Sequence, residues 1–346
     1  MHAIRWGGSI CAAMALLLSG CGDDAAVDAA TDTGGSVDTS VTDTGGIGDT
    51  SITDTGSGGD TSVADTGSGG GRPPGADTDV PFPIDRGDDG ASTPGTYKGL
   101  PLRLVDNGSP TITAVDGVVG VVCIGMSNST QECSDYIAKL ERGDLSGVAT
   151  QVQVVDCAVG GNAIESWNNS ANDDELWDRC VDTVLPRAGL RVDQVRVIYH
   201  KAANQFNDSS TFYPDAGSDY FSFFDNLGTF SGRVTDAFPD VQAVYTTSRM
   251  YGGFSDRAMR GEPRSYEEGL ALNEWLRENA RVDDVWYGWG PYIWGPDCAS
   301  GETNGSGVCY ELGDFQTDAV HPARGALDKV SQMIHDRFLR ESWYAE

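Results

Sequence analysis

The 346 residues hold 23 Lys and Arg against 52 Asp and Glu, a formal charge of −29, with 45 Gly and eight Cys. So large an acidic excess excludes nucleic acid as a partner, because binding a polyanion needs a cationic face. The length accommodates one domain with a sizeable core and still leaves room for a long segment outside it.

Residues 1–20 start with His2 and Arg5 and continue into an apolar run ending Leu16-Leu17-Leu18. The run is too short for a permanent membrane span and reads as a cleavable export signal. Leu18-Ser19-Gly20-Cys21 resembles the lipobox of bacterial lipoproteins, which implies a lipid on Cys21 and attachment to a membrane through it. Gly22 rather than Asp follows, which for such lipoproteins points to the outer membrane. An ordinary secretory signal with an incidental Cys21 is the alternative.

Residues 21–96 change to Asp, Thr, Gly, Ser and Pro. They contain fifteen Asp against Arg72 and Arg86, a net charge of about −13, leaving about −17 for the rest of the mature chain. Asp-Thr-Gly recurs at Asp32, Asp43, Asp54 and Asp65, a constant step of eleven residues. An aspartic-protease reading lacks flanking hydrophobic strands, and a calcium repeat lacks a closing ligand set. The composition predicts a disordered acidic spacer with a reach on the order of 50 Å.

Residues 97–346 form the predicted domain. Apolar, Val-rich runs at 117–124, 152–158, 195–199, 241–246 and 285–289 read as strands. Helical patterns fall at 134–141, 175–185, 221–238, 266–280 and 324–343. Strands alternating with helices predict an α/β domain, a parallel five-stranded sheet covered on both faces. Ligands bind such sheets beyond the carboxyl ends of the strands. Six cysteines remain in this domain, an even set in an exported chain, which suggests disulfides. Cys298 and Cys309 flank a short Gly- and Ser-rich loop and are the preferred pair. The alternative is that Cys123 and Cys157, which lie in apolar runs, are simply buried thiols.

Asp318-Ala319-Val320-His321 places a carboxylate three residues before one of only four histidines. A serine hydroxyl needs an imidazole to accept its proton, and the imidazole needs a carboxylate to fix its tautomer. The serine is expected far upstream, after a strand, and Gly125-Met126-Ser127-Asn128 meets that requirement. Gly160-Gly161 after the second strand supplies an accessible backbone N–H, and His200-Lys201-Ala202-Ala203-Asn204 ends the third. In this order the segments resemble the consensus blocks of the SGNH (GDSL-like) hydrolase superfamily. Gly125-Met126-Ser127-Asn128 and Gly160-Gly161-Asn162-Ala163-Ile164-Glu165-Ser166-Trp167 are similar to its sialate O-acetylesterase and carbohydrate acetylesterase branch.

The resemblance implies a flavodoxin-like three-layer α/β/α fold and ester hydrolysis without metal or cofactor. It implies Ser127 as nucleophile, His321 as base and Asp318 as its orienter. The Ser127 and Gly161 backbone N–H groups and the Asn204 side chain would hold the oxyanion. The chain departs from the family pattern at Met126, at Ala202 and at Lys201, which competes with Asn204 for the oxyanion. His200 is a candidate substrate contact or rival base, Trp167 a candidate lining of the acyl pocket, and His335 an ordinary helix residue. Trp286, Tyr287, Trp289, Tyr292 and Trp294 suit either a sugar-stacking platform or the core. The function expected is an exported, lipid-anchored serine esterase removing a short acyl group, foremost acetyl, from a carbohydrate. The alternatives are a catalytically silent carbohydrate-binding lipoprotein on the same fold, and a lipase or thioesterase for longer chains.

Overall fold

The computed structural model describes the backbone of 84–86 and 92–97, residue 102, and 104–346 apart from 170–174, 206–210, 214 and 258. The Cys21 anchor and the Asp-Thr-Gly repeats lie outside these residues. Two short antiparallel strands, β1 (Ile84–Arg86) and β2 (Ser92–Tyr97), pair with each other inside the segment read as spacer and just beyond it.

The main sheet has six strands: β3 (Val119–Gly125), β4 (Val152–Asp156), β5 (Val195–Lys201), β6 (Ala243–Thr247), β7 (Arg281–Val282) and β8 (Val285–Trp289). Their order across the sheet is β4-β3-β5-β6-β8-β7. Five strands are parallel, in the 2-1-3-4-5 order of flavodoxin-like folds. The expectation of five parallel strands is corrected at one edge, where β7 pairs antiparallel with β8. Asp283 and Asp284, both at positive φ, make the tight turn between them. Two residues give too short a run for hydrophobic alternation to register in a sequence.

The strands are buried on both faces, which is why they read as continuous apolar runs rather than alternating ones. In β3, Val119, Val121 and Cys123 enter one core, and Val122 and Ile124 enter the other. Helices α1 (Ser127–Arg142) and α7 (Arg324–Phe338) cover the first face. The second face packs against α2 (Ile164–Asn168), an interrupted helix over 175–188, α5 (Asp219–Ala237) and α6 (Arg264–Glu278). The interrupted helix runs α3 (Glu175–Asp178), a π-type turn and α4 (Leu185–Ala188). The result is the predicted three-layer α/β/α fold.

All six cysteines are paired, Cys298 with Cys309 as preferred from the sequence, Cys123 with Cys133 and Cys157 with Cys180. The buried-thiol reading of Cys123 and Cys157 is therefore corrected. The Cys123–Cys133 bridge ties the end of β3 to α1 and encloses 125–129, while Cys157 anchors the chain just before Gly160. Aromatics at 286, 287, 289, 292 and 294 are 0–6% exposed and belong to the core. None of the five lines the cavity that holds Ser127, so they form no stacking platform there.

Candidate active site

The site forms where the chain leaves β3, the strand flanked by the second and third strands of the fold, at the switch point where α/β sheets open a crevice. Gly125 ends β3 at φ +149°, and a Cβ there would lie 2.7 Å from the Lys201 carbonyl and 2.8 Å from the Ser129 Cβ. Only glycine permits this close turn. Met126 stands at the N-cap of α1 in an extended conformation and makes no side-chain cap. The first N–H groups of α1, beginning with Ser127, are consequently left for another acceptor.

Ser127 Oγ–H donates to His321 Nε2 at 2.8 Å across 194 residues of sequence. His321 Nδ1–H donates to Asp318 Oδ2 at 2.5 Å. The other carboxylate oxygen, Oδ1, accepts the backbone N–H groups of Val320 at 3.1 Å and His321 at 3.0 Å. Ala319, at φ +53°, turns the backbone so that both N–H groups face one oxygen. Partial burial pushes the Asp318 carboxyl up, but the backbone and ring N–H groups of His321, with that of Val320, outweigh it and hold it at about 2. Asn128 Nδ2 donates to the Val320 carbonyl at 3.0 Å, locking this loop onto the helix that carries Ser127.

Gly161 sits beside Ser127 in a turn at φ +79°, with Gly160 close enough that its Cβ would meet Ser127 Cβ at 3.8 Å. The Gly161 N–H makes no hydrogen bond among the described residues, and both it and Ser127 line one cavity of about 270 Å³ with His321. The Ser127, Gly161, Asp318 and His321 expectations therefore converge in space.

Four other residues do not offer the groups expected of them. Asn204 reaches the cavity wall, but its amide N–H groups donate to Asp219 Oδ1 at 3.0 Å and Ser222 Oγ at 2.9 Å. Its Oδ1 accepts from Asn226, so no donor remains for an oxyanion. Lys201 is spent in a buried ion pair with Glu132 of α1. Burial pushes the Lys201 ammonium down and the Glu132 carboxyl up, each opposed by its partner. His200 points into the opposite layer, stacked on Phe230 with ring centroids 3.7 Å apart. Burial drives its proton affinity down to about 3, and neither ring nitrogen has a partner among the described residues, so it is placed as neither substrate contact nor rival base. Trp167 is fully buried and does not line the cavity. Its Nε1–H is shared between the carbonyls of Gly125 at 3.3 Å and Asn162 at 3.2 Å, which braces the nucleophile turn against the Gly161 turn. His335 is a buried helix residue bonded to the Tyr344 hydroxyl at 2.9 Å.

The cavity also contains residues that sequence reading passed over: Arg249 just after β6, Tyr251 and Arg260 from the connection into α6, and Ser265 in the first turn of α6. Arg249 Nε–H donates to Glu268 Oε2 at 2.7 Å, and the same guanidinium donates to the Asn204 carbonyl. The position of Arg249 at a strand end was a usable signal. Arg260 lies in a loop with no periodicity to place it.

No family model matches the chain, and no curated protein matches it. Among solved structures it is similar to a GDSL-like lipase from Bacteroides thetaiotaomicron, at 12% identity and TM-score 0.38 over 65% of this chain and 90% of that one. It is similar to a candidate SGNH hydrolase from Slackia heliotrinireducens at 10% identity and TM-score 0.39, over 64% of this chain and 99% of that one. A lipase from a goat rumen metagenome gives 12% identity and TM-score 0.38, over 64% of this chain and 97% of that one.

Proposed function

We propose that the chain is a serine esterase that removes a short acyl group, foremost acetyl, from a carbohydrate, and that it works in the cell envelope from a lipid anchor at Cys21. The observation that carries this reading is the unbroken chain Ser127 Oγ to His321 to Asp318, at 2.8 Å and 2.5 Å, opening into a cavity. His321 Nε2 takes the Ser127 proton as Oγ attacks the ester carbonyl, and Asp318 stabilises the imidazolium that forms. The Ser127 and Gly161 N–H groups take up the developing negative charge on the carbonyl oxygen. His321 then passes its proton to the departing alcohol. Water enters, gives a proton to His321 and attacks the acyl-serine, and collapse of that intermediate releases the acid and returns the proton to Ser127.

The small cavity favours acetyl over a long acyl chain. Turnover of p-nitrophenyl acetate by the full chain, lost in Ser127→Ala, together with falling kcat/KM from acetate to octanoate esters, is the expected result. Equal rates for the two proteins would remove the esterase reading. Polysaccharide binding by both with turnover by neither would favour the binding-lipoprotein alternative.

A further inference from the structure

The charge on the walls of the cavity runs opposite to that of the chain. Lys201, Arg249 and Arg260 line it, while among the described lining residues there is no Asp or Glu, in a chain carrying 52 acidic residues. Lys201 and Arg249 are each neutralised from behind, by Glu132 and Glu268. Arg260 has no hydrogen bond or ion pair to its guanidinium among the described residues. The charged groups acting on it are Arg257 and Arg249, which repel it, and Asp318, which attracts it but is itself bound to His321. Burial and the two neighbouring arginines together lower its proton affinity. A guanidinium held among like charges gains more from an incoming anion than one already paired.

A second, independent feature lines the same cavity. Ser265, in the first turn of α6, is 1% exposed and its hydroxyl oxygen has no partner among the described residues. Buried hydroxyls ordinarily find one, and an unmet donor beside a cavity marks a place for a ligand oxygen. The cavity is small, just below the range of about 300–1,000 Å³ usual for drug-sized ligands. A molecule bound at Ser127 therefore shares this one cavity with Arg260 and Ser265.

We propose that Arg260 and the Ser265 hydroxyl form an anion subsite, and that the ester hydrolysed at Ser127 carries a carboxylate or sulfate on its alcohol portion. The inference rests on the esterase reading for its substrate, but not for the binding site itself. Arg260 places the anion, its charge orients the alcohol, and the acyl carbonyl is then left at Ser127 and Gly161.

Three matched acetyl esters test it with the full chain: methyl 4-acetoxybenzoate, 4-acetoxybenzoate and 4-acetoxybenzenesulfonate. After correction for uncatalysed hydrolysis, kcat/KM for at least one charged ester is expected to exceed that of the neutral one by about tenfold, and the excess to shrink with added salt. The ratio of charged to neutral turnover should collapse in Arg260→Gln and be partly restored in Arg260→Lys. A higher rate for the benzoate assigns a carboxylate, and a higher rate for the sulfonate assigns a sulfate. Equal kcat/KM for all three in the wild-type chain would overturn the subsite while leaving the esterase standing. Titration of Ser127→Ala with the same esters separates the two failures. If no ester is turned over, tighter binding of a charged ester still supports the subsite, and equal binding overturns it.

Discussion

Replacing Asp318 by Asn is the sharpest perturbation, because the structure fixes how the new side chain must sit. Val320 and His321 both aim backbone N–H groups at Oδ1, at 3.1 and 3.0 Å. An amide NH₂ placed there would face two donors, so the Asn carbonyl takes that corner and its NH₂ takes the place of Oδ2, against His321 Nδ1. The imidazole must then accept at Nδ1 and carry its proton on Nε2, where it can no longer accept from Ser127. Loss of the base function and of the charge opposing the imidazolium predicts a fall in kcat of about 10⁴, or about 5.5 kcal/mol of transition-state stabilisation. The assay is initial-rate turnover of p-nitrophenyl acetate beside Ser127→Ala as the floor. A loss below tenfold would refute the tautomer argument. Folding supplies a second readout. The folded Asp318 carboxyl sits at about 2 against an ordinary 3.8, so its contribution is present above about pH 4 and is lost as the pH falls through about 2. With a third of the side chain open to solvent, screening leaves about 1 kcal/mol of the linkage. Asp318→Asn should therefore lower Tm at pH 7 and leave it nearly unchanged at pH 2.

Asp156 carries the opposite sign: burial raises its carboxyl to about 6, against the Ser134 hydroxyl, the Ala158 N–H and Arg179. The folded state holds the proton longer, so this group costs stability increasingly as pH rises from about 4 to 6. Asp156→Asn should raise stability at pH 7 by about 1–3 kcal/mol in denaturant unfolding, and a loss would contradict the linkage. Removing the bridge in Cys123→Ala/Cys133→Ala should cost about 3 kcal/mol for its short closed loop, read from the denaturant midpoint. Because Ser127 lies inside that loop, kcat should fall with it, and an unchanged kcat would show that α1 holds the serine unaided. Trp167→Phe keeps a smaller aromatic ring in place but loses the N–H shared by Gly125 and Asn162. We expect kcat to fall about tenfold with KM nearly constant, since the ring touches no substrate; a change confined to KM would instead place Trp167 in the pocket.

The strand runs, the serine elbow and the Asp318–His321 loop were legible because each is set by local chemistry: burial on both faces, a turn only Gly125 can make, and a three-residue spacing. What escaped the sequence was where β5 stops and which way its last side chains face. His200 and Lys201 look adjacent to the site in one dimension, yet both are still in the ladder, opposite Thr246 and Thr247 of β6. Consecutive strand residues point to opposite faces, so one enters the α5 layer against Phe230 and the other the α1 layer against Glu132. Asn204 lies past the ladder and does reach the cavity, but its amide was claimed by residues of α5 that no local spacing connects to it. Spacing identifies groups that act on their neighbours, as Asp318 does on His321. It is silent on groups whose hydrogen-bonding capacity is taken by distant partners, or, as with Arg260, left untaken. Those cases separate a side chain near a site from one that acts there, and they are decided by counting donors and acceptors in the folded chain.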